Sequence, residues 1–276
     1  MNPHQPYPNT LTGMFKSFWR NRQLIRQLTR REVIGRYRGS LLGMTWSFFN
    51  PLVMLIVYTF VFSVVFKARW DVNRNESNID FAIVLFTGMI VFGLFAETVN
   101  RAPALIVSNV NYVKKVIFPL EILSWVSLGS ALFHGLVNLL VLLLTQLFIN
   151  KFLPWTIVLF PLVLLPLIFA SLGITWFLAS LGVYVRDIGQ ITGVLTTILM
   201  FLSAVFYPVS ALPEQYQRWL QLNPLVHIIT ESRKVLILGT LPDWFVLGVT
   251  LILGFATAVA GFWWFQKTRT GFADVL

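Results

Sequence analysis

The residues from Thr29 to Phe66 constrain this chain more than any others. Arg30, Arg31, Arg36 and Arg38 fall within nine residues, and the 23 residues from Met44 to Phe66 that follow carry no charge. A helix rising about 1.5 Å per residue needs about 20 apolar residues to cross a hydrocarbon core about 30 Å thick, so this stretch is a membrane span with a basic foot. Lys and Arg accumulate on short cytoplasmic flanks, which places the foot inside. Gly35, Gly39 and Gly43 recur every four residues. That spacing fits a bare helical face for close packing and fits three loop glycines equally.

Composition extends the inference to the whole chain. Of 276 residues, 57% are hydrophobic and 12% charged, which takes the protein out of the soluble class. The net charge of +10 sits in short flanks beside apolar runs, where anionic lipid head groups are the expected partner and nucleic acid is not. Cysteine is absent, which removes disulfides and thiolate metal sites. The first ten residues, MNPHQPYPNT, lack the charged start and apolar run of a signal peptide, so insertion is expected to rely on the first span.

The expected fold is an all-α polytopic membrane protein with six spans and both termini cytoplasmic. Leu11 to Leu28 alternates apolar residues with Lys16, Arg20, Arg22 and Arg26, which predicts an amphipathic helix lying flat in the interface, with a solvated helix packed on the protein as the alternative. The predicted domains are a basic cytoplasmic segment over 1–43, one transmembrane domain over 44–265 and a tail over 266–276. Spans are placed at 44–66, 81–99, 122–149, 155–185, 188–208 and 244–265, with a polar loop from Lys67 to Asp80 after the first. The stretch from Arg101 to Pro119 is too charged to cross and too apolar for a floppy loop, which predicts a short interfacial helix. Between Tyr207 and Asp243 two apolar pieces, around Tyr216 to Leu222 and Leu225 to Leu238, are cut by prolines and charges. Neither reaches spanning length, so two re-entrant half-helices are expected over 209–240. With this topology 14 of the 21 Lys and Arg lie on the cytoplasmic side.

Chemistry has little visible home. GxxxxGK[ST], GxSxG, HExxH and GxGxxG motifs are all absent, and the spans lack the buried charges that ion-coupled transport retains. His134 and Asn138, four apart in the third span, read as packing residues in preference to a relay. Two mildly polar stripes remain: Ser47, Asn50, Met54 and Tyr58 on the first span, and Thr192, Thr196, Met200, Ser203 and Tyr207 on the fifth. Each is one helical face. A wall of hydroxyls, an amide and aromatics suits a neutral, hydroxyl-rich substrate, although helix contacts through small polar residues fit the same spacing.

Four segments together resemble a known family: RREVIGRYRGSLLGMTWSFFNPL, VNYVKKVIFP, VRDI at Val185 to Ile188, and FYPVSALPEQYQRWLQLNPL. The chain is similar, over nearly its whole length, to the membrane subunit of type-2 ABC exporters for cell-envelope polysaccharides. The arginine-rich approach resembles the O-antigen and teichoic acid branches more than the capsule branch, and O-antigen is favoured. The resemblance implies a homodimer in the bacterial inner membrane with two copies of a cytoplasmic ABC ATPase, which would bind ATP and magnesium, leaving this chain non-catalytic and without a cofactor. It further implies a channel for a glycan on undecaprenyl diphosphate, lined by the first and fifth spans and closed by aromatics at Tyr58, Phe206 and Tyr207. A coupling helix near Ser108 to Ile117 would present Asn109, Asn111, Tyr112, Lys114 and Lys115 to the ATPase. Arg30, Arg31, Arg36 and Arg38 are the candidate diphosphate ligands, because guanidinium forks match phosphate oxygens; simple anchoring to bulk lipid is the alternative. Two other functions compete: a self-sufficient channel or secondary transporter for a neutral hydroxyl-rich solute or lipid, and a membrane-embedded glycan-processing enzyme.

Overall fold

The computed structural model describes residues 11–65, 78–114 and 118–276. Its regular structure is helical, with no strand among the described residues. In chain order the helices are α1 (Leu11–Tyr37), α2 (Trp46–Tyr58, continued by a π-helical stretch Thr59–Val65), α3 (Asn78–Arg101), α4 (Val110–Val113), α5 (Ile122–Asn150) and α6 (Phe160–Tyr184). They are followed by α7 (Ile188–Leu202), α8 (Glu214–Leu220), α9 (Pro224–Arg233, continued by a π-helical stretch Lys234–Leu238), α10 (Trp244–Thr268) and α11 (Phe272–Val275). Among the described residues, five helical stretches are long and apolar enough to cross a membrane: Gly43–Phe62, Phe81–Ala104, Ile122–Asn150, Trp155–Tyr184 and Trp244–Val275. The chain is therefore a multi-pass membrane protein.

Helix α3 is the hub. In its most apolar stretch 72% of the residues are buried, against 11% in the stretch that contains α2, and α3 packs on α5, α6, α7 and α9. The longest interface joins α6 to α10. Lipid tails are as apolar as leucine, so helices associate in a membrane through close packing at small residues. Gly173 and Gly261 supply that here: a Cβ on Gly261 would collide with the backbone of Gly173, and one on Gly173 with the backbone of Thr257.

Four local expectations are corrected. The helix expected over 11–28 runs unbroken to Tyr37 and packs along α5, burying Ile25 and Leu28 against Ile122 and Val126. The amphipathic helix and the basic foot are one element. Gly39 and Gly43 have φ of 86° and 51°, in the left-handed region that favours glycine, so they are turn residues; Gly35 lies in α1 with open space around it. The coupling segment is not one helix but a chain of short turns, Ala102–Ala104, Val107–Asn109 and Val110–Val113. Residues 115–117 of that expectation, Lys115 among them, lie outside the described residues, as does the loop after the first span up to residue 77.

The fourth correction concerns the fifth span. Helix α7 has 15 residues, where the expected span ran over 188–208. Ala204 turns into the left-handed region at φ 52°. The carbonyls of Ala204 and Val205 accept hydrogen bonds from the Arg233 guanidinium at 3.0 and 2.8 Å, and that of Val84 one at 3.1 Å. A buried arginine thus collects the carbonyls that a longer α7 would have used, and the polar stripe continues as one helical face only to Met200. The two short helices expected before the last span are present as α8 and α9. Pro224 opens α9, and the Asn223 side chain caps it by accepting from the Leu225 amide at 3.0 Å, the favoured arrangement at a helix start.

Candidate functional site

Along α1 the residues facing α5 and α3 recur every three or four positions: Ile25, Leu28, Glu32 and Arg36. The stripe is apolar first and ionic at its end. Arg36 donates to Glu97 Oε1 at 2.7 Å and lies 3.1 Å from His134 Nδ1, which is itself 3.0 Å from Glu97 Oε1. Arg101 pairs with Glu32 and stands 3.6 Å from Glu97. Five charged or titratable side chains from α1, α3 and α5 therefore converge on one partly buried cluster. Burial holds the Tyr37 phenol above its ordinary range, with Arg36 pulling it down and Glu97 pushing it up. Its ring meets that of His134 edge-on at 6.2 Å.

Beside this cluster lies a cleft of about 470 Å³. Leu28, Leu105, Leu123 and Val126 give it an apolar floor, and Arg31, Arg101, Asn100, Asn109, Ser108 and Tyr112 a polar rim. Arg31 donates to the Tyr112 hydroxyl at 2.9 Å, which ties the basic helix to the expected coupling segment. The four arginines grouped by sequence thus divide. All four are exposed, but Arg31 and Arg36 bond across to other segments, at Tyr112 and Glu97.

The coupling residues are placed in sequence order along the turns. Asn109 binds the Leu105 carbonyl at 2.9 Å, Asn111 and Lys114 are exposed, and Tyr112 stacks on Phe118 at 4.2 Å. Just beyond, a buried node locks the segment to both ends of the chain. Glu121 accepts from Arg269 at 2.7 Å and from Ser17 at 2.7 Å, Arg269 also donates to the Phe118 carbonyl at 2.7 Å, and Trp176 donates to the Glu121 carbonyl at 3.0 Å.

The two stripes behave differently. On α2, Ser47 returns its hydroxyl to the Met44 carbonyl at 2.7 Å, Asn50 and Met54 are exposed, and Tyr58 is half-buried. On α7, Thr192 and Thr196 are buried; Thr196 donates to Asn100 Oδ1 at 2.8 Å. Ser203 is buried as well and accepts from the Asn223 side chain at 3.1 Å, leaving Met200 half-buried. The free face of α7 is instead Val194, Leu195, Thr197, Ile198 and Phe201. Aromatic residues do converge: Phe62 lies 6.5 Å from Tyr58 and stacks on Phe206 at 5.9 Å, and Phe206 lies 5.4 Å from Phe201. Tyr207 is set apart, donating to the Phe201 carbonyl at 2.7 Å.

Sequence reasoning carried the second span through Glu97 without giving that carboxylate a partner, and gave no role to Glu121, Arg233, Arg269 or Phe62. His134, read there as a packing residue, belongs to the ionic cluster. The uncharged run from Phe81 to Ala96 has 16 residues where a crossing helix needs about 20, so the expected span already placed Glu97 within the helix, as α3 does.

The described residues thus form an all-helical multi-pass architecture with paired charges between its helices and two short helices ahead of its last long apolar stretch. Residues 23–237 match the family model described as ABC-2 type transporter, and the chain belongs to that family. Membership implies partnership with an ABC ATPase. The chain is 30% identical over 232 residues to the O-antigen export system permease protein RfbA of Myxococcus xanthus, covering 83% of this chain and 86% of that protein. It is 23% identical to a protein of the same name from Klebsiella pneumoniae, over 90% and 93% of the two chains. It is also 25% identical to the polysialic acid transport protein KpsM of Escherichia coli, over 82% and 88%. The family resemblance read from the motifs is confirmed.

Proposed function

We propose that this chain is the permease subunit of an inner-membrane ABC exporter that carries a lipid-linked cell-envelope polysaccharide, O-antigen foremost, from cytoplasm to periplasm. The observation that carries this reading is the match to the ABC-2 family from within α1 to the π-helical stretch after α9, together with relatives, matched over most of both chains, named for O-antigen export. Two copies of the chain form the channel, and two copies of a separate ATPase bind ATP and magnesium and supply the work. Both termini are cytoplasmic, α7 completes a sixth crossing with the residues after it, and α8 and α9 are re-entrant at the periplasmic side.

In this reading the pathway runs between α2 and α7 of the two copies. Ser47, Asn50, Met54 and Tyr58 face it from one side, and the free face of α7 with Met200 and Phe206 from the other. Thr196 and Ser203 hold α7 from behind through Asn100 and Asn223. Uncharged walls let sugar hydroxyls exchange hydrogen bonds while C–H faces slide over rings. Asn111, Tyr112 and Lys114, with Lys115, meet the ATPase, and the Glu121 node passes its movement to α1 and α10. Deletion in the native host tests the reading: the lipid-linked glycan is expected to accumulate on the inner leaflet and the surface polysaccharide to disappear. Normal surface glycan in the deletion strain overturns it.

A further inference from the structure

A second cleft, of about 270 Å³, lies between α3, α5 and α6, and neither α2 nor α7 lines it. Helix α3 contributes Ile90 and Leu94, α5 contributes Gly135 and Leu136, and α6 contributes the face from Phe160 to Ile168; among the described residues every one that lines it is apolar. Ile90 and Leu94 are buried, whereas Leu136 is 63% exposed, so the cleft opens outward between α5 and α6. Its three walls belong to stretches long and apolar enough to cross a membrane, and the medium at its mouth is hydrocarbon. The gap is held open from both ends. At one end the Trp176 indole donates to the Glu121 carbonyl at 3.0 Å and meets the Trp125 ring edge-on at 5.9 Å, which fixes α6 against α5. At the other, the Thr156 hydroxyl, just ahead of α6, donates to the Val235 carbonyl at 2.6 Å. Between them α6 is drawn onto α10, since a Cβ on Gly254 would collide with the Pro166 backbone. The cleft is thus preformed. Left unfilled it would forfeit dispersion contacts along its whole lining, and walls without polar side chains cannot hold water.

We propose that this cleft holds one acyl chain of a bilayer phospholipid as a fixed part of the folded subunit. Helices in a membrane associate by close packing, because lipid tails are as apolar as their side chains. Where α5 and α6 leave each other unpacked, a lipid tail supplies the missing contacts. The dimensions agree. From Phe160 to Ile168 helix α6 rises about 12 Å, inside the roughly 15 Å that one leaflet of a core about 30 Å thick offers, so a single chain from one leaflet fills it. The source is the leaflet on the side of the segment joining α5 to α6, because α6 lines the cleft with its first turns. That segment carries exposed Lys151 and Trp155, a cation for the lipid phosphate and an aromatic that settles at head-group depth. The site does not rest on the export reading, since it needs a membrane and no cargo.

Photolabelling of the full chain tests the site. The protein is reconstituted in vesicles of phosphatidylethanolamine and phosphatidylglycerol that include a phosphatidylglycerol with a diazirine on its acyl chain. It is then washed in detergent, which dilutes loosely held lipid, before irradiation and peptide mapping. Adducts are expected on the peptides holding Gly135 and Phe160 to Ile168, and not at Ile252, which is 70% exposed on α10. Two variants fill the cleft from its two sides, Gly135→Leu and Leu165→Trp, and each is expected to lose the adducts. Gly135→Ala, whose Cβ would meet Leu94 Cδ1 at an ordinary 3.5 Å, keeps them, as does Ile252→Trp. Size-exclusion chromatography checks that the variants fold; if Gly135→Leu does not, Leu165→Trp, at a half-buried position, carries the comparison. Adducts spread equally over the cleft and Ile252, or undiminished in a folded filled variant, overturn the site. A wild type without adducts overturns it too, and is the result if a second copy occupies the cleft. Unlabelled undecaprenyl phosphate serves as competitor: adducts that persist support the phospholipid, whereas adducts that vanish assign the cleft to a prenyl chain and sink the proposal.

Discussion

Arg233 shows how one side chain sets local structure in a nonpolar setting. Its guanidinium serves three backbone carbonyls on two segments far apart in sequence, and Gly88 leaves the space it fills, since a Cβ there would approach Nη2 to 2.6 Å. Lysine has the charge but not the planar fork. Arg233→Lys is therefore expected to leave at least one carbonyl unserved and to cost about 2–3 kcal/mol, seen as a lowered melting temperature by intrinsic fluorescence in detergent; an unchanged midpoint rules out the role. The Glu121 and Arg269 pair is also buried, with 6% and 7% side-chain exposure. Removing one member of such a pair strands the other, at about 3–5 kcal/mol. Arg269→Ala should fall in that range, whereas exposed Arg30→Ala should change stability by less than about 0.5 kcal/mol. These roles were hidden in the sequence for a physical reason. Glu32, Glu97 and Glu121 find their partners only after helices distant in sequence have packed, and Glu231 when Lys234 and the Asp243 amide close on it.

At the scale of elements the sequence was more informative, because length and charge are local properties. The uncharged runs found α2, α3, α5, α6 and α10, and the prolines and charges after Tyr207 marked two helices too short to cross, now α8 and α9. What failed were the ends. Spacing alone cannot reveal that α7 stops at Leu202, because the stop is imposed by Arg233 from another segment. It cannot tell packed from turn glycines either: the evenly spaced Gly35, Gly39 and Gly43 have nothing within 4 Å, whereas Gly173 and Gly261, which attracted no notice, sit at backbone contact. Gly261→Val is expected to force α6 and α10 apart and abolish accumulation of folded protein in the membrane, whereas Gly248→Val, at an open position of the same helix, should be tolerated. Quantitative blotting of the solubilised membrane fraction, followed by size-exclusion chromatography, separates the two outcomes.

For the whole molecule the short α7 is the decisive feature. Fifteen helical residues span about 22 Å, less than the hydrocarbon thickness of about 30 Å, and the backbone from Ser203 to Pro208 is irregular. Irregular backbone is not tolerated against lipid; it must be covered by protein or line a wet cavity. The face of α7 that ends at Phe201 is uncovered within one subunit, at 55% exposure, which under the export reading makes it the face shared with a second copy and with the channel. Helix α10 offers a control, because Ile252 is 70% exposed on a helix long enough to meet lipid along its length. The natural absence of cysteine makes the comparison direct. Phe201→Cys should react with a membrane-impermeant maleimide and form a disulfide-linked dimer under mild oxidation, and Ile252→Cys should do neither. The opposite pattern would put lipid on α7 and remove the second copy from it, and with it the pathway between α2 and α7.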